Sequence, residues 1–587
     1  DLDQGELNET GESEPRAMAS SPESGITEAP GDKGVAGRTR GKRSARSDLR
    51  VAGRDVIPRP KIYVAEGAYD IDEDQRTAVN LALENTLGKG RKGFMLADGT
   101  GLGKTSELLV IAAEYRKRTG KRILLVTTSP IVFKDAFIGD AKRLGLDLNS
   151  FDLATYDELR RGVKIKDFDA AKKTQKTEPI GEAQYGLIVF DEAHNLKNAE
   201  AAKTLAGNKI KQRADHVVFA TATPMDRWLG AAYFISEVTA IPLQRVGHML
   251  GFTIDENGVP RLMAGATPQT VKANILNMRE AAVRMGAFIR REYPFAGTTQ
   301  LKTIRMNAQE SDIEKKILGY FGDLAASLRA GHNYLGQMVQ SARHFVEHTK
   351  INEALRLAEA SMAAGRRPII VAEFVNPSDR LYRPVGKEWK AKFHDRHFKG
   401  EDVKIPGTME ELERKLADKG ITDIARIYGD FDKAAERSKF QAGKARILLM
   451  TPTSGGTGIN LDDVGGQARD MIVLSNVWAG DTWEQLIGRI SRRNTVSTDN
   501  TVTVLNAAQS YGDERSMQVV LRKIATVKAI QSGQDIDAST IFPDTGYESE
   551  TDEPLNSIEA AVSGDETLQA IAPDSPVPWL ANTGQTG

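Results

Sequence analysis

The chain has no cysteine among its 587 residues, which excludes disulfides, thiolate metal sites and cysteine nucleophiles. No apolar run approaches the ~18 residues of a membrane span. No charged-then-apolar leader with a small-residue cleavage site precedes the first patterned segment, so a cytoplasmic protein without membrane contact is the expectation. Histidine is scarce, at eight residues. His344 and His348 in HFVEH match an H-x-x-E-H zinc pattern and His394 and His397 stand three apart, but neither pair has an evident third ligand, and ordinary helix-face histidines are the simpler reading. Positive charge is missing from the end of the chain: no Lys or Arg follows Lys528, whereas eleven acids do. The net charge of −1 therefore hides a body that would carry +10 without those acids. Such a body is compatible with binding a phosphate backbone and equally with a solvated surface.

What is present is length and enough apolar content, 40%, for several cores. Residues 1–60 are rich in Gly, Ser, Pro and charge, with a basic cluster from Arg38 to Arg54, and read as a disordered arm. The first residue is Asp, so a processed product, or a piece of a larger polypeptide whose other domains would be its partners, is the expectation. Residues 61–240 alternate short β-branched runs, such as Ile123 to Thr127, Leu187 to Phe190 and Val217 to Ala220, with helical periodicity. That alternation predicts a parallel sheet covered by helices. The stretch 241–345 loses it and reads as a helical insertion, clearest at Ile275 to Ile289 and Ile313 to Leu328. A second α/β unit over 346–533 follows, with apolar runs at Ile369 to Ala372, Ile447 to Met450, Met471 to Leu474 and Val502 to Leu505. The acidic stretch 534–587 reads as a disordered tail.

The segment DGTGLGKT, Asp98 to Thr105, lies between an apolar strand-like run and a helix-like one, the setting of a phosphate-binding loop. Gly99, Gly101 and Gly103 let the backbone curl so that N–H groups and the next helix N-terminus face a polyphosphate. Lys104 would meet the β- and γ-phosphates of a nucleoside triphosphate, and the Thr105 hydroxyl would hold Mg²⁺. Asp98 stands where the general G-x-x-x-x-G-K-[ST] pattern has glycine. In LIVFDEAHNLKN, ~90 residues downstream, a strand delivers Asp191 and Glu192 at its carboxyl end, where open α/β sheets bind ligands. Such a pair can hold Mg²⁺ and orient an attacking water; taken alone it is also an ordinary helix cap.

With the ATATP of Ala220 to Pro224, these segments resemble motifs I, II and III of superfamily two helicases, and the GLGKT and DEAHxLKN forms are similar to the Swi/Snf-type branch. In that branch Asp98 is a mark of the first motif. Gln75 resembles the glutamine that reads adenine, and Leu153 to Arg161 a further nucleic-acid-facing segment. TSGGTGINL, which contains Gly458, resembles motif V, and QLIGRISRR, Gln485 to Arg493, resembles motif VI. The resemblance makes Arg489 and Arg492 arginine fingers, gives Gly458 and Gln485 to the nucleotide site, and makes Thr221 and Thr223 couplers between the sites. REYPFAG, Arg291 to Gly297, and Asp513 to Gly533 are similar to segments of strawberry notch helicase-like proteins, although Ala193 stands where that family usually has cysteine.

The resemblance implies two RecA-like lobes with ATP and Mg²⁺ between them and a nucleic-acid polymer across both. Duplex DNA is favoured as the partner, with translocation rather than strand separation; an RNA helicase and a catalytically silent scaffold of the same fold are the alternatives. A metabolic P-loop kinase does not account for the second sheet and its Q-x-x-G-R-x-x-R.

Overall fold

The short apolar runs become strands buried on both faces, as the interior of a parallel sheet requires. In the computed structural model the described residues are 50–51 and 57–517, apart from 168–175, 182, 197–201, 226–227, 256–257, 293–294, 296, 329–330, 453–459, 476–479, 493–494, 509, 511–512 and 514–516. Most of the basic arm, the acidic tail, Gly458 with most of its glycine loop, and Arg493 lie outside them.

The first sheet is built from β1 (Gly93–Leu96), β2 (Ile123–Thr127), β3 (Asp152–Thr155), β4 (Val163–Asp167), β5 (Lys176–Pro179), β6 (Tyr185–Asp191), β7 (Ala214–Ala220) and β8 (Phe288–Ile289). Their order is β8-β1-β7-β6-β2-β3-β4-β5. All neighbours are parallel up to β3, and β4 and β5 add an antiparallel edge. Alternate residues feed two cores. Met95, Val126, Phe190 and Phe219 enter one, and Phe94, Leu96, Leu125 and Val189 enter the other. Register decides where the chemistry lies: Leu96 and Asp191 both stand opposite Ala220. The loops after β1, β6 and β7 therefore leave the sheet side by side at its carboxyl edge.

The second sheet comprises β9 (Gly297–Arg305), β10 (Arg367–Val371), β11 (Ile424–Ile427), β12 (Ile447–Met450), β13 (Arg469–Val473) and β14 (Asn500–Ala508), in the order β9-β14-β13-β10-β12-β11 and parallel throughout. Its strands again feed two cores, Ile369, Val371, Leu448 and Met450 on one side and Ile370, Leu449 and Ile472 on the other.

The stretch 241–345 differs from the helical block expected of it. It does hold the long helices Ala308–Leu328 and Gly331–Thr349, but it also supplies β8 to the first sheet and β9 to the second. The helix read over Ile275 to Ile289 runs instead from Pro268 to Arg284, and its expected last residues are strand β8. Two residues are too short for a periodic signal, and β9 is a Thr-rich edge strand with alternating half-exposed residues rather than an apolar run. Among the described residues no helix is long and apolar enough to cross a membrane.

Candidate nucleotide site between the two sheets

The phosphate loop leaves β1 and enters the helix α1 (Lys104–Thr119), whose first turn is capped by Gly103 in the left-handed conformation, φ +85°. Gly101 is also left-handed, at φ +84°. Only glycine adopts both without strain. Lys104 Nζ folds back and donates to the carbonyls of Asp98 and Gly99 at 2.8 and 3.0 Å, and burial lowers its pKa against the opposing pull of Glu192, Asp98 and Asp191. Thr105 is half-buried on the same turn. Gln75 sits against the loop, donating to the carbonyls of Leu102 and Gly103 at 3.0 and 3.3 Å and accepting from the Asp72 N–H.

The acidic pair closes β6: Asp191 is its last residue and Glu192 the next. Asp191 accepts from Thr127 Oγ1 at 2.9 Å, and its carbonyl accepts from Tyr156 OH at 2.8 Å. Burial, reinforced by the charge of Glu192, holds the Asp191 carboxyl above the usual aspartate range. Glu192 has φ +49°, an uncommon conformation for a side-chain-bearing residue and a sign of constraint at a site. Burial opposes its ionisation, but the hydrogen bond and charge of His194, with Lys104 and Arg489, hold its pKa below the usual value. His194 Nδ1 lies 3.3 Å from Glu192 Oε2 and 3.2 Å from Thr221 Oγ1. Thr221 Oγ1 in turn accepts from the Thr223 N–H at 3.2 Å, and the Thr221 N–H donates to the Leu96 carbonyl at 3.1 Å. The expected coupling residues thus form a continuous path from the acidic pair to the strand before the phosphate loop.

The second sheet brings its arginines to the same place. They end the helix α2 (Gly480–Ile490) and the turn beyond it. Gly488 lies so close to the phosphate loop that a Cβ on it would stand 2.6 Å from Thr100 Cγ2 and 2.9 Å from Thr100 Oγ1. Reciprocally, a Cβ on Gly101 would stand 2.8 Å from Arg492 Cγ. The glycine of each motif thus lies directly against a side chain of the other. Arg489 is buried, and desolvation, with Arg492 alongside, lowers its pKa to about 9 despite Glu192. Arg492 is lowered for the same first reason, offset by Asp462 and Glu192. The Nε atoms of both are buried without a hydrogen-bond partner among the described residues. Gln485 is half-buried on the same helix.

The structure therefore brings together Gln75, Gly99, Gly101, Gly103, Lys104, Thr105, Asp191, Glu192, Thr221, Thr223, Arg489 and Arg492. The histidine pairs belong elsewhere: His344 stacks on Phe374 at 4.4 Å and bonds the Pro406 carbonyl, and buried His394 bonds the Leu381 carbonyl. No cluster of three metal-binding side chains occurs among the described residues. Thr127, Glu107 and Arg290 carried no role in the sequence, and Tyr156 and Arg291 entered only as members of the segments Leu153 to Arg161 and Arg291 to Gly297. Thr127 ends a recognisable strand, which was a usable signal; an arginine buried against a backbone carbonyl carries none.

Two mainly parallel sheets that share one site through a phosphate loop on one and arginines on the other are the architecture of paired RecA-like lobes. Residues 68–226 match the family described as type III restriction enzyme, res subunit. The SWI/SNF-related matrix-associated actin-dependent regulator of chromatin subfamily A-like protein 1 of Bos taurus is 32% identical over 152 residues, 26% of this chain and 15% of that protein. RNA polymerase-associated protein RapA of Serratia proteamaculans (strain 568) is 29% identical over 144 residues, 22% of this chain and 15% of RapA. The chain thus spans about 15% of the length of the curated relatives it matches. The Sulfolobus solfataricus SWI2/SNF2 ATPase core in complex with dsDNA aligns with 81% of this chain and 99% of its own at 13% identity, with a TM-score of 0.30. The sequence similarity to SWI/SNF-related proteins and RapA is thus confined to 26% and 22% of this chain.

Proposed function

We propose that the chain is an ATP-dependent nucleic-acid translocase that hydrolyses ATP in the cleft between its two lobes. One observation carries this reading: Lys104 of the first lobe and Arg489 and Arg492 of the second converge on one glycine loop, and both arginines keep a buried Nε without a partner among the described residues. Buried cations in such a state call for an anion, and the left-handed glycines shape the loop for a polyphosphate.

In this reading Gly99, Gly101, Gly103 and Lys104 hold the phosphates, and Thr105 and Asp191 hold Mg²⁺. The metal, when bound, neutralises charge on the phosphate oxygens and lowers the Asp191 pKa. Glu192, ionised and held by His194, takes the attacking water's proton. Arg489 and Arg492 stabilise the charge that develops in transfer, a contribution of ~10³ to 10⁵ in rate for an arginine finger. Gln75, expected to read adenine, would exchange its bonds to Leu102 and Gly103 to do so. ATP held by both lobes favours their closed arrangement, and loss of the γ-phosphate weakens it. The path through His194, Thr221 and Thr223 reports the state of the acidic pair to the rest of the lobe.

Duplex DNA is the favoured polymer, a reading supported by the Swi/Snf-like motifs and by relatives named as SWI/SNF-related chromatin regulators and RNA polymerase-associated proteins. Contacts to backbone phosphates make binding salt-sensitive and nearly blind to sequence. The test is ATP turnover with DNA present: Lys104→Ala and Arg492→Ala are each expected to remove nearly all of it, and full turnover in either variant would place the active site elsewhere.

A further inference from the structure

The phosphate loop is gripped from behind by the segment that leaves the first sheet for the second. Arg291 stands two residues after the end of β8 and is buried, as are Asp98 and Glu107. Its guanidinium bonds Asp98 through Nε, 3.1 Å from Oδ2, and through Nη2, and Nη2 also reaches Glu107 Oε1 at 2.5 Å. Its backbone joins in: the Arg291 N–H donates to Asp98 Oδ1 at 2.8 Å, and its carbonyl accepts from the Gly99 N–H at 2.7 Å. Arg290 extends the grip, donating from Nη1 to the carbonyls of Ala97 and Ala222 at 2.9 and 2.7 Å. A Cβ on Gly99 would stand 3.3 Å from Glu292 Cβ, so the connector lies flush against the loop. Six residues after Arg291 the chain begins β9, which pairs with β14 in the second sheet.

Three buried ionisable groups are an expensive way to hold an edge strand, since apolar residues of the same volume would stabilise it as well or better, and burial raises the Glu107 carboxyl to about 8 against the pull of Arg291. Their value is geometric. The guanidinium holds Asp98 through Nε and Nη2 and Glu107 through Nη2, and one of these acids is the first residue of the phosphate loop while the other stands on α1, three residues beyond Lys104. Glu107 Oε2 has no partner among the described residues, so Arg291 is the group that holds this side chain in place.

We propose that Arg291 is a positioning residue: through Asp98 and Glu107 it sets the shape of the phosphate loop and ties that shape to the connector entering the second lobe. This rests on the nucleotide-site reading above. The awkward acid at the start of the glycine motif is then the handle by which the interlobe connector holds the loop.

The experiment compares wild type, Arg291→Lys, Glu107→Gln and Lys104→Ala in the full chain. Affinity for a fluorescent ADP, the KM and kcat for ATP, and the melting temperature are measured for each. Arg291→Lys keeps the charge and loses the fork; it is expected to weaken ADP binding and raise the KM at least tenfold while melting near the wild-type temperature. Glu107→Gln keeps volume and one hydrogen bond, and is expected to shift both quantities in the same direction. Wild-type nucleotide affinity in a folded Arg291→Lys protein would overturn the proposal, because a merely structural residue moves melting and not binding. Failure of both variants to fold would also overturn it, assigning the cluster to stability. If wild type binds no nucleotide, or Lys104→Ala turns over ATP normally, the nucleotide-site reading itself falls, a result distinct from either of these.

Discussion

Gly488→Ala separates closure of the lobes from stability of either one. Gly488 lies inside α2, where alanine is the better residue by roughly 0.5–1 kcal/mol, so the second lobe is expected to be at least as stable as before. The added methyl, however, would enter space held by the Thr100 side chain, 2.6 Å from Cγ2 and 2.9 Å from Oγ1. Forcing a methyl into a filled interface costs about 1–3 kcal/mol, which lowers the population of closed lobes ~5- to ~150-fold. Turnover of ATP with DNA present is therefore expected to fall by one to two powers of ten, while ADP affinity, set mainly by the first lobe, changes little. Thr100→Gly removes the atoms that the methyl meets, so the double variant is expected to recover activity relative to Gly488→Ala alone. The assay is steady-state ATPase with a melting curve on each of the four proteins. Wild-type turnover in Gly488→Ala, or loss equal in the single and double variants, would refute the close packing of the arginine helix on the phosphate loop.

Two further outcomes follow from buried ionisable groups. In the proposed site Asp191 would have to be ionised to hold Mg²⁺, and burial beside Glu192 raises its pKa, so kcat/KM for ATP is expected to fall with decreasing pH well above the ordinary aspartate value near ~4. Thr127→Val removes a hydrogen bond that favours the ionised form and is expected to move that limb to higher pH, whereas higher Mg²⁺ moves it lower; a limb that ignores both would contradict the assigned role. In the second lobe, burial lowers His344 from 6.5 to about 4 and raises Glu347 from 4.5 to about 7. The unfolded chain takes up the histidine proton first, so the His344 contribution is lost as pH falls from 6.5 to about 4; the folded chain takes up the glutamate proton first, so the Glu347 contribution grows as pH falls from about 7 to 4.5. The two nearly cancel, and Glu347→Gln is expected to expose the histidine alone, losing about 3 kcal/mol more than wild type between pH 6.5 and 4.5 in urea unfolding. Parallel stability curves would show that Glu347 and His344 do not titrate in this way.

The parts of the site that could be read from the sequence are those where local chemistry and secondary structure coincide. Glycines and a lysine after Gly93–Leu96, two acids at the end of Tyr185–Asp191, and arginines closing Gly480–Ile490 each mark an element boundary, and motif order then implied two lobes. What could not be read arises from packing between distant segments. Phe288 and Ile289 read as the end of a helix and Arg291 as the start of the REYPFAG segment, and only the pairing of Phe288 and Ile289 with Met95 and Leu96 places Arg290 and Arg291 behind the phosphate loop. The polar edge strand β9 lacked an apolar run, so the second sheet begins well before the point that hydrophobic patterning suggested. The H-x-x-E-H pattern has another use: Glu347 accepts from the N–H groups of Glu373 and Phe374 at 2.8 and 3.1 Å, pinning the chain after β10.

The central claim is that one interlobe site turns over ATP in response to a polymer. Its most direct measurement is ATP turnover by the full chain with no polymer, single-stranded DNA, duplex DNA and RNA, each at low and high salt. The largest stimulation is expected from duplex DNA, reduced at high salt as phosphate contacts weaken; equal turnover in all four conditions, or none in any, would contradict a polymer-driven interlobe ATPase.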